Sequence, residues 1–118
     1  MANRASTCSM QTVRFVVDAA ADAAPIVYTM NRAAEICEIR ITCTGNAVGA
    51  FNVIVRNGAN TIATIASTGA LGEVDAAVVL APAYINIAAG GTLTLQTSTA
   101  AALCIATIYT LPGVTATT

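Results

Sequence analysis

Residues 92–97 read Thr-Leu-Thr-Leu-Gln-Thr. A period of two puts Leu93 and Leu95 on one face of an extended strand, with Thr92, Thr94 and Gln96 on the other. The turn signal Gly90-Gly91 precedes this strand, and a short Ser/Thr/Ala link leads to a second one at 103–111. Pro112-Gly113 stops the second strand, because proline has no donor for a ladder and glycine permits a sharp exit. The pair is expected to form a β-hairpin. Its second strand is apolar on both faces: Leu103, Ile105 and Tyr109 on one, Cys104, Ala106 and Ile108 on the other. Such a strand is covered twice, by its own core and by something else, which makes Leu103, Ile105 and Tyr109 candidate assembly contacts.

The same alternation recurs upstream. Residues 11–17 place Val13, Phe15 and Val17 on one face and Arg14 on the other. Residues 18–24 are alanine-rich with two aspartates, about two turns long if helical, so a marginal helix and a simple turn both fit. A short strand follows at 26–30. In residues 35–43, Cys37, Ile39, Ile41 and Cys43 face one way and Glu38, Arg40 and Thr42 the other. Phe51, Val53 and Val55 line a further strand that ends at Asn57-Gly58, a strong hairpin signal, and the chain returns over 61–66. Residues 74–80 predict another strand, interrupted by Pro82 and continued at 84–88. About eight strands at spacings near ten residues, with no domain boundary, predict an all-β, antiparallel sandwich or barrel. The divisions are an N-terminal arm at 1–12, a β-sandwich domain at 13–113 and a C-terminal tail at 114–118.

Composition alters this picture in one respect. Of the 118 residues 56% are hydrophobic and only 9% charged, against roughly 25% charged in an average globular domain. The balance opposes disorder. Solubility normally relies on dispersed surface charge, so a chain this poor in it is expected to hide surface against neighbours. The longest apolar stretch, 74–89, contains Asp75, Pro82 and Asn86 and falls short of a membrane span; no secretory signal is apparent near the start. Five arginines against six acidic residues give a net charge of −1, too little positive charge for a nucleic-acid backbone.

Candidate chemistry is sparse. There is no histidine, which removes every imidazole-based mechanism and His-ligated metal site. No glycine-rich loop opens a helix, so nucleotide binding lacks support. Cysteines 8, 37, 43 and 104 form no CxxC pair and are read as reduced small hydrophobes. Cys37 and Cys43 stand too far apart on one strand to be bridged, and Cys104 could reach one of them only from an opposing strand. Glu73 and Asp75 share a strand face and could hold calcium with nearby carbonyls, but no Asp-rich loop accompanies them. They and the neighbours Glu38 and Arg40 read as solvated or interface charges. Tyr28, Tyr84 and Tyr109 read as core residues with a hydroxyl at the rim. No enzyme and no cofactor is expected.

The phrases FNVIVRNGANTIATI, INIAAGGTLTLQTSTAAA and IATIYTLPG, with the Asn57-Gly58 turn and the closing Leu111-Pro112-Gly113, resemble the small jelly-roll capsid decoration, or cement, proteins of tailed bacteriophages. The similarity covers residues 34–113. It implies a jelly-roll sandwich made in the host cytoplasm and seated on the capsid exterior of the virion. There it would be a homotrimer locking copies of the major capsid protein, with no direct contact to nucleic acid or membrane. The polar N-terminal segment, with Asn3 and Arg4, is expected to dock on a neighbouring protein. Two other classes fit the same pattern: a receptor- or glycan-binding β-sandwich domain of a fibre or spike, and a pilin-like or surface-layer subunit.

Overall fold

In the computed structural model, residues 11–18, 20–46 and 49–113 are described. Alternating apolar positions build nine strands there: β1 (Gln11–Val17), β2 (Ile26–Thr29), β3 (Ala34–Asn46), β4 (Phe51–Asn57), β5 (Asn60–Ser67), β6 (Val74–Ala76), β7 (Asn86–Ile87), β8 (Thr92–Thr97) and β9 (Ala102–Pro112). They form two packed antiparallel sheets. One has the order β1-β9-β3-β6, with β7 also paired to β3; the other has the order β2-β8-β4-β5. Leaving out the two-residue β7, this is the jelly-roll order, in which successive strands alternate between sheets at both ends of the chain. The fold is therefore the expected all-β sandwich.

The expected hairpin of residues 92–97 with 103–111 does not form. β8 lies between β2 and β4, whereas β9 lies between β1 and β3 in the opposite sheet. The link at 98–101 is an arch across the sandwich rather than a turn within a sheet. Both strands need two hydrogen-bonded neighbours and one buried face, and the jelly-roll order supplies these to each. Leu93 and Leu95 from β8 then meet Ile39, Ile41 and Ile108 from the other sheet in one core, all essentially inaccessible to water.

Three local readings also change. β3 carries bulges against β9 between Ile36 and Glu38 and between Cys43 and Gly45. The extra residue at the first bulge moves Cys37 off the core face and puts Ile36 there, buried at 1% exposure. The turn after β4 is shifted by one residue: Asn57 pairs with Asn60, and only Gly58 takes positive φ, at 61°. Glycine at the first central position is the type II′ arrangement, not an Asn-Gly turn of type I′. The strand expected over 74–80 stops at Ala76. Ala77 N–H still bonds Ile39 O at 3.0 Å, but Ala81 N–H bonds Ile62 O at 2.9 Å in the other sheet. The chain thus leaves its ladder to bridge the two sheets before Pro82. The alanine-rich passage after β1 is a turn with Ala21 buried at its centre.

Candidate interaction surface

The two outer faces of the sandwich differ in chemistry. On the β2-β8-β4-β5 sheet the outward positions of β8 are Thr92, Thr94 and Gln96. Gln96 accepts from Arg56 Nη1 at 2.6 Å and donates through Nε2 to Asp22 O at 2.7 Å. That polar chain ties the turn after β1 onto the face.

The outer face of the β1-β9-β3-β6 sheet is built differently. Register places Val16, Ile105, Thr42 and Val74 in one row across four strands. The next row is Arg14, Thr107, Arg40 and Ala76, and the one after it Thr12, Tyr109 and Glu38. Leu103 extends the apolar end opposite Gly45, and Leu111 stands opposite Glu35 at the other. The predicted contacts Leu103, Ile105 and Tyr109 are thus brought together on this face. Each is partly buried by its neighbours and partly open, while Cys104, Ala106 and Ile108 on the reverse side are wholly buried. Asn3 and Arg4, and most of the expected arm, lie outside the described residues; Gln11 and Thr12 belong to β1, so the arm as drawn at 1–12 overlaps the first strand.

Three charged groups of this face and its edge, Glu38, Arg40 and Glu73, are engaged within the chain. Arg40 Nε donates to Glu38 Oε2 two residues away along β3, and that bond raises the guanidinium pKa further. Glu73 and Asp75 close the gap between β6 and β5. Thr68 N–H and the hydroxyls of Thr68 and Ser67 all donate to Glu73 Oε1, the first at 3.1 Å and the last at 3.4 Å. The Thr68 bonds hold the Glu73 pKa below its ordinary value. Asp75 is the opposite case: desolvation and its hydrogen-bonded neighbour Glu73 raise its pKa, and its Oδ2 is buried without a hydrogen-bond partner. This pair fastens one sheet to the other. Among the described residues no three acidic or cysteine side chains converge as a metal-ligand set.

Cys43 and Cys104 are direct register partners, both buried as free thiols. Burial, with Cys43 alongside, pushes the Cys104 thiol up to about 11. Sequence reasoning missed the exposed tyrosines: Tyr28 and Tyr84 stand out from the surface, not in the core. Tyr28 lies on the four-residue edge strand β2 and Tyr84 in the turn before β7, outside any strand, neither of which residue alternation shows. No protein-family model matches this sequence, and no curated protein does.

Proposed function

We propose that this chain is a structural virion protein, a trimeric cement subunit that decorates a phage capsid and reinforces it against the major capsid protein. The observation that carries the reading is the outer face of the β1-β9-β3-β6 sheet. An isolated subunit gains nothing by keeping the row Val16, Ile105 and Val74 and the flanking Leu103 against water, whereas an assembly buries them. The charge-poor composition and the jelly-roll order support the same reading, as does the engagement of Glu38, Arg40 and Glu73 in internal bonds. Stable contacts bury about 1,600 Å² in total, and repetition over a symmetric shell adds avidity without any single strong site.

Imaging of particles with and without the protein tests this. Density at symmetry-related positions over the shell, at many copies per particle, is the expected result; density confined to a tail tip or fibre refutes it in favour of receptor binding. Deleting residues 2–9 tests the docking arm: shell binding is lost while the melting temperature stays nearly unchanged. Full retention of shell binding removes the arm from the mechanism.

A further inference from the structure

Among the described residues, the eight large apolar side chains that stand most exposed are not scattered. Val16, Val27 and Tyr28 lie on β1 and β2, the strands that end the two sheets on one side of the sandwich. Leu71, Val74, Val78, Val79 and Tyr84 lie in the stretch that covers the opposite side, where β6 and β5 end the sheets. The second edge is convex. Between the bonds Ala77 N–H to Ile39 O and Ala81 N–H to Ile62 O the chain bows outward, leaving Val78 95% and Val79 72% exposed. Two adjacent valines left this open bury little of their apolar surface within the single chain. The first edge is concave: a hollow of about 60 Å³ lies between β1 and β2, lined by Gln11, Val13, Tyr28, Met30 and Arg32 among others. Where one water needs about 10–15 Å³, this admits a pair of branched methyl groups.

The projection and the hollow also lie at one height along the strands. Ala77 bonds Ile39, which is in register with Ile108, which is in register with Val13 in the hollow. In the other sheet Tyr28 of the hollow is level with the exposed Tyr84: Tyr28 pairs with Leu93 and Leu93 with Asn57, whose Nδ2 donates to Tyr84 O at 3.0 Å.

We propose that copies of this chain associate head to tail, the Val78-Val79 projection of one entering the β1/β2 hollow of the next, and that the contact closes into a ring. This rests on the assembly reading above and names the surface that joins the copies. The partner is a second copy because one chain carries both halves at matching height: an exposed valine pair, and a hollow whose Val13, Tyr28 and Met30 offer apolar contact beside Gln11 and Arg32. A head-to-tail contact produces a ring when rotation closes it and a filament when each step also climbs; equal height removes the climb. Val27, Tyr28, Val78, Val79 and Tyr84, all exposed at the two edges, are the apolar surface that such a contact covers, within the roughly 1,600 Å² of a standard interface.

The test is a crossed pair of cysteine variants, both in a background with Cys8→Ser and Cys37→Ser. One carries Val78→Cys and the other Tyr28→Cys. Under mild oxidation the mixture is expected to give a covalent two-chain species that neither gives alone. A chain carrying both substitutions gives a ladder that ends at the ring size measured by sedimentation. The double variant V78D/V79D, altered only at exposed positions, is expected to keep its fold by circular dichroism and sediment as a monomer. Cross-linking of Val78→Cys with itself, an unending ladder, or a parent chain that is monomeric at all concentrations each overturns the proposal. So does a Tyr28→Cys/Val78→Cys link formed within one chain, or a hollow filled by residues 1–10 of its own chain. A monomer that still decorates shells overturns this inference alone, and a ring that never binds shells overturns the cement reading alone.

Discussion

Replacing Ile108 with alanine, and separately Ile105 with alanine, measures which side of β9 holds the domain together. Ile108 is wholly inaccessible and sits between Val13 of β1 and Ile39 of β3. The change removes three carbons, worth about 2.4 kcal/mol at roughly 0.8 kcal/mol per buried carbon. A residual cavity of about 60 Å³ adds about 1.4 kcal/mol at roughly 24 cal/mol per Å³. The loss of about 4 kcal/mol is a large share of the roughly 5–15 kcal/mol that stabilises a domain, and for this size it lowers the melting temperature by about 15 °C. Ile105 has the same chemistry one strand position from the reverse face. It is only partly buried and leaves no closed cavity, so its truncation costs about 1 kcal/mol. Urea melts of the dilute chain followed by far-ultraviolet circular dichroism, checked for an unchanged slope, give both numbers. Ile105→Ala should instead weaken self-association or shell binding, which Ile108→Ala affects only by lowering stability. Equal losses for the two variants in the dilute chain would refute the assignment of inner and outer faces.

Gly113→Ala is expected to cost about 1–3 kcal/mol, because a Cβ there would lie 2.7 Å from the backbone carbon of Ala33 and the nitrogen of Ala34; an unchanged thermal midpoint would count against that close approach. Asp75→Asn should raise the melting temperature at neutral pH. Desolvation raises the folded Asp75 pKa above the ordinary aspartate value, so the native state binds the extra proton and stability falls as pH rises through that window. The gain should therefore vanish in acid, and a gain that persists there refutes the cause. Thiol titration of the native protein should find Cys37 reacting before Cys43 and Cys104. Stability should also fall between about pH 9 and the folded Cys104 value near 11, since the unfolded thiol releases its proton first; a flat alkaline profile excludes this.

Alternation alone determined most strands and which side chains face the core. Val13, Phe15 and Val17, then Phe51, Val53 and Val55, then Leu93 and Leu95 all point inward as read, because a period of two follows from backbone geometry before any neighbour is chosen. The two-sided apolar character of β9 was equally legible, and with it the candidate contacts Leu103, Ile105 and Tyr109. Tertiary structure decided what pairs with what. The link at 98–101 could serve a hairpin or an arch between sheets, and only competition among all strands for two neighbours and one core selects the arch. The same holds for the bulge that exchanges Cys37 for Ile36, which depends on the register with β9. Gly113 reads as a turn residue, yet its role is the approach of Ala33 and Ala34. The exposed pair Val78-Val79 reads as part of a strand, and becomes a projection only because Ala77 and Ala81 are bound to opposite sheets. Local sequence sets the direction of each side chain; distant backbone partners, contributed by strands far away in the chain, set which surfaces are left open.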